Sequence, residues 1–212
     1  RQAIEELGGR IISEDYIDQA AIDVLPQLTK IKGSKADSIL ITTGAGQIAT
    51  ILKQYNELGM DQTILTTGGS NYPIAIMDLS GPEIVNGTYH LMFYVPTAFD
   101  LAGDPEISEW YYKEYTERGY PEVGRGESYR GFEAVHVIAK AIELNDCSLD
   151  SQGLNDALTH VEFAGLSGPI RFDHASGRQN RPNVYLVRVE DGQLKPLQEP
   201  HSLETAHGSS ED

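Results

Sequence analysis

Along the chain, stretches with apolar residues at helical spacing alternate with short continuous apolar runs, and Gly, Asn or Asp punctuate the joins. That alternation predicts an α/β chain built from parallel βαβ units. Arg1 to Leu7 reads as the tail of a helix stopped by Gly8-Gly9, and Arg10 to Glu14 reads as a short strand. Pro26 to Lys32 carries helical spacing, with Leu25, Leu28 and Ile31 in register, and leads into the apolar strand Ser38 to Thr42. Gln47 to Leu58 is a second helix closed by Gly59, and Thr63 to Thr66 is the next strand. A longer strand is expected from Ile84 to Val95, with Tyr89, Leu91 and Phe93 on one face. Helices follow at Pro105 to Arg118, Ser128 to Leu144 and Leu149 to His160. Strand-like Pro169 to Phe172 and Asn183 to Glu190 end in an Asp191-Gly192 hairpin turn.

Composition narrows the class. The 212 residues are 40% hydrophobic and 23% charged, which is enough apolar material for one or two ordinary cores. No apolar run reaches the roughly 18 to 20 residues that a membrane-crossing helix needs, so direct membrane insertion is not expected. A formal net charge of -16 repels phosphate backbones and anionic lipid, which argues against nucleic-acid partners. The one cysteine, Cys147, excludes an internal disulfide framework and offers no paired metal-ligand spacing.

The candidate chemistry is that of binding. Ile41-Thr42-Thr43-Gly44 recurs as Leu65-Thr66-Thr67-Gly68, each at the end of an apolar strand. In open parallel sheets ligands lie beyond the carboxyl ends of the strands. Thr42, Thr43 and Gly44, with Thr66 to Asn71, would therefore line one wall, offering hydroxyls and accessible backbone N–H groups to a carboxylate or an amide. Plain strand-end turns account for the same residues equally well. Gly44-Ala45-Gly46-Gln47-Ile48-Ala49 also matches the dinucleotide-binding pattern G-x-G-x-x-A, but the acid expected at the end of the following strand is replaced by Thr66-Thr67. The six histidines are scattered, no H-E-x-x-H or G-x-S-x-G is present, and the carboxylates between Glu106 and Glu117 form the wet face of an aromatic helix. No catalysis and no cofactor are expected. Tyr94, near a strand end before Pro96, is the aromatic residue placed to meet a ligand.

Several segments in order resemble one family. Leu25-Pro26-Gln27-Leu28-Thr29-Lys30-Ile31-Lys32, Ala36-Asp37-Ser38-Ile39-Leu40 and Ile51-Leu52-Lys53-Gln54-Tyr55-Asn56-Glu57-Leu58-Gly59 are similar to the branched-chain amino-acid type of periplasmic solute-binding protein. Asn86-Gly87-Thr88, Tyr129-Arg130-Gly131-Phe132-Glu133-Ala134-Val135, and Gly165 to Asp173 before the final hairpin continue the resemblance, which covers roughly Arg1 to Pro196. It implies a type I fold of two doubly wound parallel-sheet lobes that close on a ligand about a hinge. It also implies a periplasmic or extracellular location, with the leader absent from this chain, and delivery of a small polar solute (amino acid, carboxylate or amide) to an ABC transporter permease. Relatives also serve as ligand-sensing receptor domains, an alternative the resemblance leaves open. An NAD-dependent oxidoreductase is the third reading.

The ligand-binding residues implied are Thr43, Gly44, Gln47, Gly68, Ser70, Asn71 and Tyr94, with Glu127 and Tyr129 from the other lobe. In amino-acid-binding relatives the loop matching Thr66 to Gly69 carries an acid for the ligand's ammonium group, whereas here that position is Gly68. Residues 1–100 are expected to form most of the second lobe, 101–175 the carboxyl-terminal part of the first, and 176–197 the hinge return and terminal hairpin. The stretch 198–212 is expected to be a disordered or non-native tail. The family's first βαβ portion and the strand preceding Arg1 have no counterpart here, and that strand is expected to leave a central gap in the second lobe's sheet.

Overall fold

In a computed structural model of the chain, the described residues are 2–18, 20–67, 72–173, 177 and 183–197. The chain divides into two compact units, Arg1–Leu91 with Arg188–Lys195, and Met92–Val187 with Pro196–Asp212. The expected tail at 198–212 lies outside the described residues.

The first unit opens with helices α1 (Gln2–Glu6) and α2 (Leu25–Lys32), then runs β1 (Ser38–Thr42), α3 (Ala45–Glu57), β2 (Thr63–Thr67), α4 (Pro73–Ser80), α5 (Pro82–Val85) and β3 (Tyr89–Met92). β1 pairs parallel with β2, Ser38 opposite Thr63 through Thr42 opposite Thr67, and β2 pairs parallel with β3. Parallel neighbours need a crossover between them, and α3 and α4 supply it. Pro26, Pro73 and Pro82 sit in first helical turns, where a missing N–H costs nothing. One core joins Ile48 and Leu52 of α3, Ile41 and Ile64 of the strands, and Ile76 of α4.

The second unit holds α6 (Pro105–Glu117), α7 (Glu122–Leu144) and α8 (Ser151–Leu158), followed by β4 (Glu162–Gly165) and β5 (Gly168–Arg171), which pair antiparallel. Asp104 caps α6 by accepting from the Ile107 N–H at 3.0 Å, and its own N–H donates to the Gly165 carbonyl at 3.2 Å. Gly103 admits that approach, because a Cβ there would stand 2.7 Å from the Gly165 oxygen. The chain returns through β6 (Tyr185–Glu190) and β7 (Gln193–Pro196), and the described strands form a sheet in the order β1-β2-β3-β6-β7. Asp191 and Gly192 take φ values of 51° and 73°, the left-handed pair of a tight hairpin turn.

Three expectations are corrected. Residues 10–14 are irregular rather than a strand, since no described strand pairs with them. The expected strand from Ile84 to Val95 shortens to Tyr89–Met92, because Pro82 starts a helical turn and Gly87 turns the chain at φ 83°. Within it His90 and Met92 are buried and Tyr89 and Leu91 half-buried. Among the described residues the sheet is continuous, with β1 at one edge and no central gap.

Candidate functional site

In the first unit the parallel register brings the ends of β1 and β2 level, so Thr42 stands opposite Thr67. Their hydroxyl oxygens meet at 2.8 Å on the outer side of the strand ends. Thr43 and Gly44 follow, both half-buried. Gly44 is the N-cap of α3 in an extended conformation, φ -80° and ψ 162°, and its carbonyl accepts from the Gln47 and Ile48 N–H groups at 3.1 and 3.0 Å. No side chain caps this helix. A Cβ added at Gly44 or Gly46 would meet nothing within 4 Å, so the ground before the helix is open. The result is a strand-end wall of two paired hydroxyls beside a helix N-terminus, which carries positive partial charge and suits an anion.

Gln47 takes a different place. Its amide Nε2 donates to the Ala21 carbonyl at 3.0 Å. One face of α3 continues this with Gln54, which donates to the Ile22 carbonyl and accepts from the Val24 N–H, each at 2.8 Å. The two glutamines thus hold the 21–24 segment against α3. Gly68, Ser70 and Asn71 lie outside the described residues.

Behind the wall sits a buried polar cluster that reading the sequence missed. His90 is 0% exposed, with Thr66 Oγ1 at 2.7 Å from Nδ1 and Thr88 Oγ1 at 2.7 Å from Nε2. Thr88 donates its one hydroxyl proton to the Val85 carbonyl at 2.6 Å, so toward His90 it accepts. Nε2 therefore carries the ring proton and Nδ1 accepts from Thr66. Burial lowers the His90 pKa from 6.5 to about 3, which keeps the ring neutral. The signal for this in the sequence was slight: Thr66 ends one expected strand, and Thr88 and His90 alternate within the next.

In the second unit Tyr94 is 2% exposed, packed at 5.1 Å from the Tyr129 ring and 6.1 Å from Tyr111. Its hydroxyl meets Ser108 Oγ at 3.1 Å, and burial pushes its pKa up. Tyr94 is thus a core residue here rather than a ring open to a ligand. Glu127 pairs with Arg130 at 2.7 Å; partial burial raises its pKa and Arg130 opposes the shift. Tyr129 is buried too, with the Arg130 guanidinium 5.6 Å from its ring centre. It borders a cavity of about 430 Å³ together with Phe93, Glu133, Ala134, Ser167 and Phe172. Glu133, one helical turn beyond Tyr129, is a buried carboxylate. It accepts from the Ser167 N–H at 2.7 Å and from the Ser167 hydroxyl at 2.9 Å, fixing the β4–β5 turn to α7. Burial raises its pKa and the Ser167 bonds oppose the rise.

Among the described residues, no group of three or more His, Cys, Asp or Glu side chains is gathered as a metal site. No described helix is long and apolar enough to cross a membrane.

A family model described as periplasmic binding protein matches residues 1–193. The chain belongs to the periplasmic binding protein family. The fold agrees with solved members. A leucine binding protein from Thermotoga maritima is 23% identical with a TM-score of 0.80, over 96% of this chain and 55% of that one. A branched-chain amino acid ABC transporter protein from Thermus thermophilus, with bound valine, is 17% identical with a TM-score of 0.78, over 95% and 55%. A solute binding protein from R. palustris, in complex with 4-hydroxybenzoate, is 20% identical with a TM-score of 0.76, over 97% and 57%. This family member therefore spans little more than half the length of the solved proteins it matches.

Proposed function

We propose that this chain is part of an extracytoplasmic solute-binding protein that captures a small carboxylate-bearing solute and delivers it to an ABC transporter permease, without catalysis. The observation that carries the reading is the family match across residues 1–193. The strand-end wall supports the ligand class. The Thr42–Thr67 hydroxyl pair and the uncapped N-terminus of α3 are donors and positive partial charge, with open space before them. Valine and 4-hydroxybenzoate, held by two of the structural relatives, share a carboxylate and little else. In this reading Thr43 and Gly44 touch the solute, and Gln47 positions the wall by anchoring the neighbouring segment.

The test is a thermal-shift screen of the complete gene product against branched-chain amino acids, benzoate, 4-hydroxybenzoate, amides and NAD. A ligand at about 100 times its dissociation constant stabilises the native state by about 2.7 kcal/mol. One carboxylate class should raise Tm, and Thr42→Val together with Thr43→Val should diminish that rise. Stabilisation by NAD alone, or by nothing in the panel, would overturn the reading.

A further inference from the structure

The His90 ring is a polar group in the interior of the first unit, and its two threonine partners are interior as well, Thr66 at 0% and Thr88 at 6% exposed. Stability alone does not call for such a trio, since replacing both partners of a buried hydrogen bond by apolar groups of the same shape is nearly neutral. A fully satisfied polar network adds instead a single fixed arrangement. This one is anchored at its far end. The Thr88 N–H donates to the Val85 carbonyl at 3.1 Å, the Val189 N–H to the Thr88 carbonyl at 3.0 Å, and the Gly87 N–H to the Val189 carbonyl at 2.8 Å. β6 and the end of α5 thus hold Thr88, Thr88 holds the His90 ring, and the ring holds the Thr66 hydroxyl.

Thr66 is the residue before Thr67, and successive side chains of a strand point to opposite faces. Burial along β2 alternates accordingly, with Thr66 buried and Thr67 half-buried on the face where it meets Thr42. The ladder to β1 runs on to Thr42–Thr67, but the ladder to β3 ends at Thr66–His90. β1 itself is an edge of the described sheet, so it restrains Thr67 weakly. Thr66–His90 is therefore the last paired position between β2 and the interior strand β3 before the wall, and there the side chains are bonded as well as aligned. We propose that His90 is a positioning residue: through Thr66 it fixes the end of β2, and so holds the Thr67 hydroxyl in the Thr42–Thr67 pair. Its bearing on solute binding rests on the function proposed above. A donor already held in place need not be ordered when the solute arrives, which favours affinity.

Threonine rotamers and solute affinity, read separately in the complete gene product, test this. Three-bond NMR couplings at threonine Cγ2 report χ1, and Thr67 should hold one staggered rotamer in the wild type. Thr66→Val and His90→Leu each break the tie, so Thr67 should average over rotamers in both, while Thr50 and Thr116, bonded within helices, keep theirs. His90→Gln, whose amide accepts from Thr66 and donates to Thr88, should restore the single rotamer. Calorimetric titration uses benzoate, 4-hydroxybenzoate and valine as probes. For each probe that the wild type binds, affinity should be about three- to tenfold weaker in Thr66→Val and His90→Leu and recovered in His90→Gln. Added to Thr67→Val, His90→Leu should weaken binding no further. Averaging of Thr67 in the wild type, a single rotamer in both variants, or loosening shared by Thr50 and Thr116 would overturn the proposal. Averaging of Thr67 with unchanged affinity, or no probe bound by the wild type, would instead overturn the solute reading and leave the positioning of Thr67, judged on the rotamers, standing.

Discussion

Between two threonine hydroxyls, His90 is held in one tautomer, and its neutrality has a consequence for stability. Its folded pKa of about 3 lies below the ordinary 6.5, so the unfolded chain takes up the proton first. The native state is therefore fully favoured above about pH 6.5 and loses about 1.4 kcal/mol per pH unit as pH falls toward 3. Urea unfolding at pH 7.5 and 5.0 should show the wild type losing about 2 kcal/mol more than His90→Gln between the two values. Parallel losses would mean that His90 does not stay neutral in the folded chain.

At the scale of elements, helix termini are where the side chains act most locally. Asp104 and Asp150 each place a carboxylate oxygen on a first-turn N–H, at 3.0 Å for Ile107 and 2.7 Å for Gly153. α3 begins without a side-chain cap, as α2, α4 and α7 do. Asp104→Ala should cost about 1 kcal/mol, and Asp104→Ser should recover most of it. For a chain this long the corresponding fall in Tm is about 2–4 °C, readable by differential scanning calorimetry. A fall of the same size from Asp104→Ser would show that the cap is not what Asp104 contributes.

The whole molecule carries 32 acidic against 16 basic side chains. Such an excess stores self-repulsion in the compact state, and salt screens it over roughly 8–10 Å at physiological strength. Raising sodium chloride from about 10 mM to about 150 mM should therefore raise Tm, by about 2–4 °C for each kcal/mol of repulsion relieved. A Tm that stays flat or falls would show that the described ion pairs, such as Lys30–Asp15 and Arg118–Glu114, outweigh the surplus of like charge.

What the sequence determined by itself is local and periodic. β1 was legible to the residue from the run Ser38 to Thr42, the β6–β7 turn from Asp191-Gly192, and the family from motifs occurring in order. Helix α4 was not read at all, and α7 begins at Glu122, six residues before the Ser128 expected, because the stretch from Glu122 to Glu127 has little apolar periodicity and Pro121 hides the start. Strand pairing was beyond reach, since it joins residues far apart in the chain. Residues 10–14 have strand composition and no described partner, and the sheet closes from β3 to β6 without the expected gap. Side-chain direction was decided the same way. Gln47 and Gln54 turn to the 21–24 segment, Tyr94 enters a core, and His90 rather than Tyr89 faces inward. Sequence periodicity reports which positions avoid water, while burial on a given face and the partner of each polar atom are set by neighbours that only the folded chain brings together.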